Sequence, residues 1–220
     1  MKKYIKADVV DILEEAPEVQ LDIAQSPKTN ARTLARLANS EDFNVLYAVA
    51  VNPNTSPETL KVLYETGIPG VCVQVSRSPF ISIDLMEEMA SIGDSHAAAA
   101  IKVGLATNIC LPNRLIRVLA EDNNWRVRET IASRKTIPSE ILSLLSHDAK
   151  FEVLIAVAAN ENTSEDTLEF LSNSEYDWVR AQVAANPHTP RDVLKQMADD
   201  PHEAYTVQAE ARRALGYPGY

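Results

Sequence analysis

The stretch Val179–Met197 reads Val-Arg-Ala-Gln-Val-Ala-Ala-Asn-Pro-His-Thr-Pro-Arg-Asp-Val-Leu-Lys-Gln-Met, and its pattern returns six more times along the chain. Its first valine has counterparts at Val19, Val45, Val71, Ile101, Val127 and Val153, spaced by 26 residues except for one step of 30. Four residues on stand Ile23, Val49, Val75, Leu105, Ile131, Val157 and Val183, each followed by Ala or, at 76, Ser. A second pair of ladders follows, from Leu34 and Leu37 through Leu60 and Leu63 to Leu194 and Met197. A fixed period of this size is the mark of a stacked array, in which one supersecondary unit recurs.

Each unit reads as two short helices. The i, i+4 valines fall on one helical face, and the small residue after them allows close backbone approach. Asn52-Pro53, Ser78-Pro79 and Asn186-Pro187 then stop the helix, because the residue before proline is pushed towards extended geometry. Thr55-x-x-Glu58, Thr163-x-x-Asp166 and Thr189-x-x-Asp192 read as capping boxes or near relatives. Pro112, Pro138 and Pro190 fit a first helical turn, where a missing N–H costs nothing. Neither helix is long enough to stand alone, so stacked neighbours must supply the core. The expected fold is an all-α, right-handed α-solenoid of HEAT/ARM-like kind, with about seven 26-residue two-helix repeats and end caps. It is read as one array over 1–220: cap 1–18, repeats 19–200, closing cap and tail 201–220.

Over residues 19–200 the chain resembles the leucine-rich repeat variant family, most closely at 153–171 and 179–197. Val179-Arg180, Val183-Ala184, Asn186-Pro187, Thr189-Pro190, Leu194 and Met197-Ala198 carry the resemblance, although Arg and Asn-Pro are missing from several copies. It implies a right-handed superhelix of alternating α- and short 3₁₀-type helices. Some members of that family carry an iron–sulfur cluster on a cysteine-rich segment. This sequence has no such segment, so no cofactor or metal is expected.

The net charge of −10 argues against a general nucleic-acid binder and fits a soluble protein or one with a basic partner. The two cysteines, Cys72 and Cys110, hold unrelated repeat positions and read as free buried thiols. No apolar run approaches a membrane span, and the Met-Lys-Lys start is not followed by an apolar segment; the expectation is a cytoplasmic protein. Four extra residues within Ala90–Ala100 account for the long step, and Asp94 or Ser95 is placed to cap a helix there. Residues 1–18 suggest a short helix around Val9, Val10, Ile12 and Leu13, and Gly216 reads as the stop of a closing helix.

The histidines occupy unrelated positions, and neither a nucleophile motif nor a phosphate loop is present, so no catalytic residue is expected. Recognition is the better reading. On the Val helix, the residues one before, three after and six after the first valine share a face. Among them Arg77, Arg126 and Trp178 are the candidate anchors, since Trp and Arg dominate interface hot spots; Gln182 and Arg128 complete the candidate set. The expected function is a non-catalytic scaffold that holds a protein or peptide along this face. The alternative is a nucleic-acid-directed protein, acting through the basic cluster of Arg114, Arg117, Arg126, Arg128, Arg134 and Lys135 or as an acidic mimic occupying a DNA-binding partner.

Overall fold

The computed structural model describes residues 12–217; Val9, Val10 and the tail 218–220 lie outside them. Fifteen α-helices and one 3₁₀ turn, Ile12–Glu14, make up the regular structure of the described residues, without a strand. The chain divides into two compact units. The first runs to Ile92 and includes Asn108–Cys110; the second comprises Gly93–Thr107 and everything from Leu111 onward. The first holds α1 (Pro17–Gln25), α2 (Ala31–Leu37), α3 (Phe43–Val51), α4 (Pro57–Glu65), α5 (Pro69–Arg77) and α6 (Ile83–Ser91). The second holds α7 (His96–Thr107), α8 (Asn113–Ala120), α9 (Trp125–Ala132), α10 (Ser139–Leu145), α11 (Phe151–Ala159), α12 (Glu165–Leu171), α13 (Asp177–Ala185), α14 (Arg191–Asp199) and α15 (Tyr205–Leu215).

The odd-numbered helices carry the valine ladders and pack on one another in sequence: α1, α3 and α5 in the first unit, and α7, α9, α11, α13 and α15 in the second. From Val45 to Val179 every first-valine rung is buried, as are its i+4 partners from Val49 to Val183 and the small residues after them. The Leu-x-x-Leu rungs on the even helices are buried in all seven copies. Val19 departs from its ladder at 42 % exposure, because its side of α1 meets no earlier repeat within the described residues. Gln20 beside it is buried instead, donating to Leu13 O and Glu15 O and accepting from Ser40.

Several local expectations need correction. Both helices of each repeat are α-helical, rather than alternating α with 3₁₀. The even helices run to seven to nine residues, enough for i→i+4 bonding to close. Thr55 and Thr163 are not the N-caps. Ser56 and Ser164 are, each accepting from the amide three residues on, while the threonine hydroxyls donate back to Val49 O and Val157 O of the preceding helix. Pro112, Pro138 and Pro190 sit one position earlier than expected, at the cap itself. The ring fixes only φ, which cap and first-turn residues share; their ψ of 137–147° is extended.

The four extra residues become an added turn. α7 has twelve residues where α3, α11 and α13 have nine. Ser95 Oγ accepts from Ala98 N at its start. Asp94 instead takes Lys102 Nζ and the Asn123 amide, and Lys102 pairs more closely with Asp122, at 2.8 Å, so the bend is tied to both. At the far end Gly216 stops α15 in the left-handed region, φ 75°, and Tyr217 N reaches back to Arg212 O. Cys72 is a buried thiol as expected, but Cys110 is exposed: it lies in the turn after α7, beside Ile109, which is 81 % exposed.

Candidate interaction surface

Two ladders of polar side chains stitch the repeats and decide which residues remain for recognition. The first is formed by the asparagine that follows four of the odd helices, α3, α7, α11 and α13. Asn52 Nδ2 donates to Ala24 O and Ser26 O, at 2.7 and 3.0 Å, and its Oδ1 accepts from Asn54 N. Asn160 and Asn186 repeat this on the carbonyls of the helix before, and within the first unit Asn108 does so on Ser76 and Ser78. Each amide therefore satisfies the open carbonyls of a neighbouring helix end while holding its own turn. Arg134 stands at the same repeat position and sends Nη1 to Ala106 O, the carbonyl an asparagine would take.

The second ladder lies one residue after the first valine. Arg128 makes a two-point contact with Asp148, 2.6 and 2.9 Å, and donates to Asp122 O. Arg180 does the same with Glu203 and with Ser174 O. Lys102 pairs with Asp122 in the equivalent place. The Asp148 side chain is nearly sealed from solvent. Burial disfavours its ionised form, yet the Arg128 guanidinium and the Lys150 amide hold its carboxyl below the usual carboxylate range.

These ladders sort the candidate residues. Arg128 is an inter-repeat staple. Of the basic cluster, Arg134 is turned inward and Arg117 meets Glu140. Arg126 instead lies exposed, its guanidinium 5.0 Å from the Trp125 ring centroid. Trp178 is 65 % exposed and so does not seal the core, and Gln182 is half-buried one turn further along α13. Arg77 is exposed at the end of α5, in the first unit.

Within the second unit the candidate face crosses α9, α11 and α13. Its leading row is Arg126, Glu152 and Trp178; Thr130, Ala156 and Gln182 follow, then Ser133, Ala159 and Ala185. Large side chains thus stand at the N-terminal ends of the helices above a floor of small ones. Ser133 and Ala159 open into a cleft of about 360 Å³ with Lys135, Glu161 and Asn162 at its edge. Glu152 has one carboxylate oxygen, Oε2, out of solvent and without a hydrogen-bond donor. Sequence reasoning placed Arg126, Trp178 and Gln182 on one helical face but missed that Arg128 and the asparagines serve the stack. The recurring offset between Lys102 and Asp122 and between Arg128 and Asp148, 20 residues in each pair, was the available signal.

Among the described residues no group of His, Cys, Asp and Glu could hold a metal ion, and no helix is long and apolar enough to cross a membrane. No curated protein matches the chain. Among solved structures, "a leucine-rich repeat variant with a novel repetitive protein structural motif" aligns over 90 % of this chain and 82 % of that one, at TM-score 0.64 and 21 % identity. A designed armadillo repeat protein aligns far more loosely, at TM-score 0.27 and 15 % identity over 93 % of this chain and 96 % of that one. So do computationally designed armadillo repeat proteins for modular peptide recognition, at 0.20 and 13 % over 90 % and 91 %. The family model for Leucine rich repeat variant matches residues 177–202, the repeat that begins α13. The resemblance to the leucine-rich repeat variant family thus holds in sequence at 177–202 and in fold over 90 % of the chain.

Proposed function

We propose that this protein is a non-catalytic scaffold that holds a protein or peptide segment against the odd-helix face of its second unit. The observation that carries this reading is the row Arg126, Glu152 and Trp178 above small residues. A tryptophan left 65 % exposed on a helix whose other large apolar rungs are buried has no part in the core. Trp and Arg are the side chains that most often anchor interfaces, and the small floor lets a ligand backbone come close. The nucleic-acid reading has less support, since Arg117, Arg128 and Arg134 are engaged within the fold.

The test is a comparison of Arg126→Glu and Trp178→Ala with the parent against a partner captured from the native host. Losses of about 2 kcal/mol or more for each variant are expected of hot spots. Two folded variants that bind as the parent does, with binding lost on changes to the even-helix side, would place the site elsewhere.

A further inference from the structure

The staple ladder has a gap. The residue after the first valine is Lys102, Arg128 or Arg180 in three repeats of the second unit, and each reaches an acidic residue of the next repeat. Between them, in the α11 repeat, the position holds Leu154, and Ser174 stands 20 residues on, where the matching acid would be. Both halves of the 20-residue pair seen at Lys102 and Arg128 are replaced together, while 23 residues on, where Arg180 finds Glu203, Asp177 is retained. In this repeat the loops before α11 and α13 flank an open cleft of about 360 Å³, with Leu154, Leu171, Phe170 and Tyr176 among its lining. One repeat later, where Arg180 and Glu203 are present, the equivalent cleft is lined by them with Ser172, Asn173, His202 and Asp200 and is mainly polar.

The aromatic walls belong to this repeat alone. The positions equivalent to Phe170 hold Arg36, Val62, Glu88, Val118, Leu144 and Gln196. Phe170 is half exposed and stacks on His147, with ring centroids 4.6 Å apart and planes within 10°. On the other side Tyr176 meets Phe151 at 5.6 Å. The polar wall is already satisfied: Asp148 is taken by Arg128 and the Lys150 amide, and Ser146 by Ser143 O and His147. Beside the polar edge of Asn173, Ser174 and Glu175, the cleft offers an incoming group more apolar and aromatic surface than its equivalent one repeat later. The nearby charges are chiefly negative, with Glu152, Glu175 and Asp177 against Lys150.

We infer that this cleft is a pocket for an aromatic side chain of a partner peptide that carries a lysine or arginine beside it. The ring would enter between Phe170 and Tyr176, where offset or edge-to-face contacts with aromatic walls are favourable. The adjacent cation would meet Glu175, Asp177 and the exposed Trp178, two residues after Tyr176, by charge and cation–π attraction. The inference rests on the proposed binding face, whose leading row includes Glu152 and Trp178, and it adds the anchor that gives the partner its chemistry.

The probes are N-acetyl-tryptophanamide and the blocked dipeptides Ac-Trp-Lys-NH2 and Ac-Trp-Glu-NH2, titrated into the 220-residue chain and followed by methyl and amide NMR shifts. Saturable shifts at Leu154, Leu171 and Ser174 are expected, with the lysine dipeptide binding more tightly than the glutamate one at low salt. The decisive variant is Leu154→Arg with Ser174→Asp, which rebuilds the staple used elsewhere in the chain and replaces the apolar wall of the cleft with a charged pair, as in the cleft beside Arg180. It should melt no lower than the parent and bind the tryptophan probes about tenfold or more weakly, as for removal of an interface anchor. Phe170→Ala, at a half-exposed position, serves as a second variant with the same expected loss. Trp178→Ala should leave N-acetyl-tryptophanamide in the cleft and remove only the preference for lysine. Absence of shifts at the cleft in the parent, or undiminished binding by both folded cleft variants, overturns the inference. Loss of N-acetyl-tryptophanamide binding in Trp178→Ala alone would place the ring on the odd-helix face, leaving the face proposal intact and the cleft assignment wrong.

Discussion

Asn160 is the residue at which the stack is most easily interrogated. It is 8 % exposed, and its amide donates to Ala132 O and Arg134 O while its oxygen accepts from Asn162 N. Asn160→Ala would strand two carbonyls and one amide at a buried joint between repeats. The expected cost is about 2 kcal/mol, within the range for unsatisfied buried polar groups, read as a lower urea midpoint at unchanged m-value. Asp148 gives a pH test. Its carboxyl is held below its unfolded value, so the stabilisation it provides is present above about pH 4 and is lost as pH falls through the folded-state pKa. Asp148→Asn should therefore lose about 2 kcal/mol near neutral pH, the worth of hydrogen bonds to a charged group, and show a shallower decline in stability between pH 5 and pH 3 (roughly the carboxylate range) than the parent. Equal declines in both proteins would mean that other carboxylates set the acid limb.

Single helices were legible where their signal was periodic and apolar. The rungs of Val, Leu and Met predicted buried faces, and from Val45 onward they are buried. The errors fall where one residue can do two jobs. Thr163 precedes a helix and looks like a cap, but its neighbour Ser164 takes the cap, and the threonine hydroxyl turns back to Val157 O. Three repeats put Ile81, Leu111 or Ile137 at that place, all buried, so the slot accepts either a hydroxyl satisfied locally or plain aliphatic volume. Val157 O also accepts from Asn160 N. Thr163→Ile should consequently be near neutral, whereas Ser164→Ala should cost about 1 kcal/mol as a lost N-cap, both measured by thermal melting. A large loss in Thr163→Ile would show that the hydroxyl, not the volume, holds the turn. The candidate face was legible by helical geometry alone. The apolar lining of the cleft beside Phe170 was not, because it reflects a missing Arg–acid pair across 20 residues, which no local pattern displays.

At the scale of the whole molecule, stability is shared between neighbours, and this decides how damage spreads. α9 packs against α7 and α11 and against α8 and α10, so its valine rung is common ground for several helices that are each too short to stand alone. Val127 is fully buried at the centre of that arrangement. Val127→Asp would place a carboxylate there with no partner. The cost is several kcal/mol, in the range of about 2–7 for an unsatisfied polar group, and the ionised form adds to it. In a nearest-neighbour array that loss is felt first by the adjoining repeats and fades with distance. Amide hydrogen exchange should show protection lost in α7, α9 and α11 while α1 to α3 keep theirs, and far-ultraviolet dichroism should fall without any strand signal appearing. Uniform loss of protection from α1 to α15 would mean that the chain unfolds as one cooperative block rather than as coupled repeats. An unchanged melting temperature would mean that the valine ladder does not hold the stack.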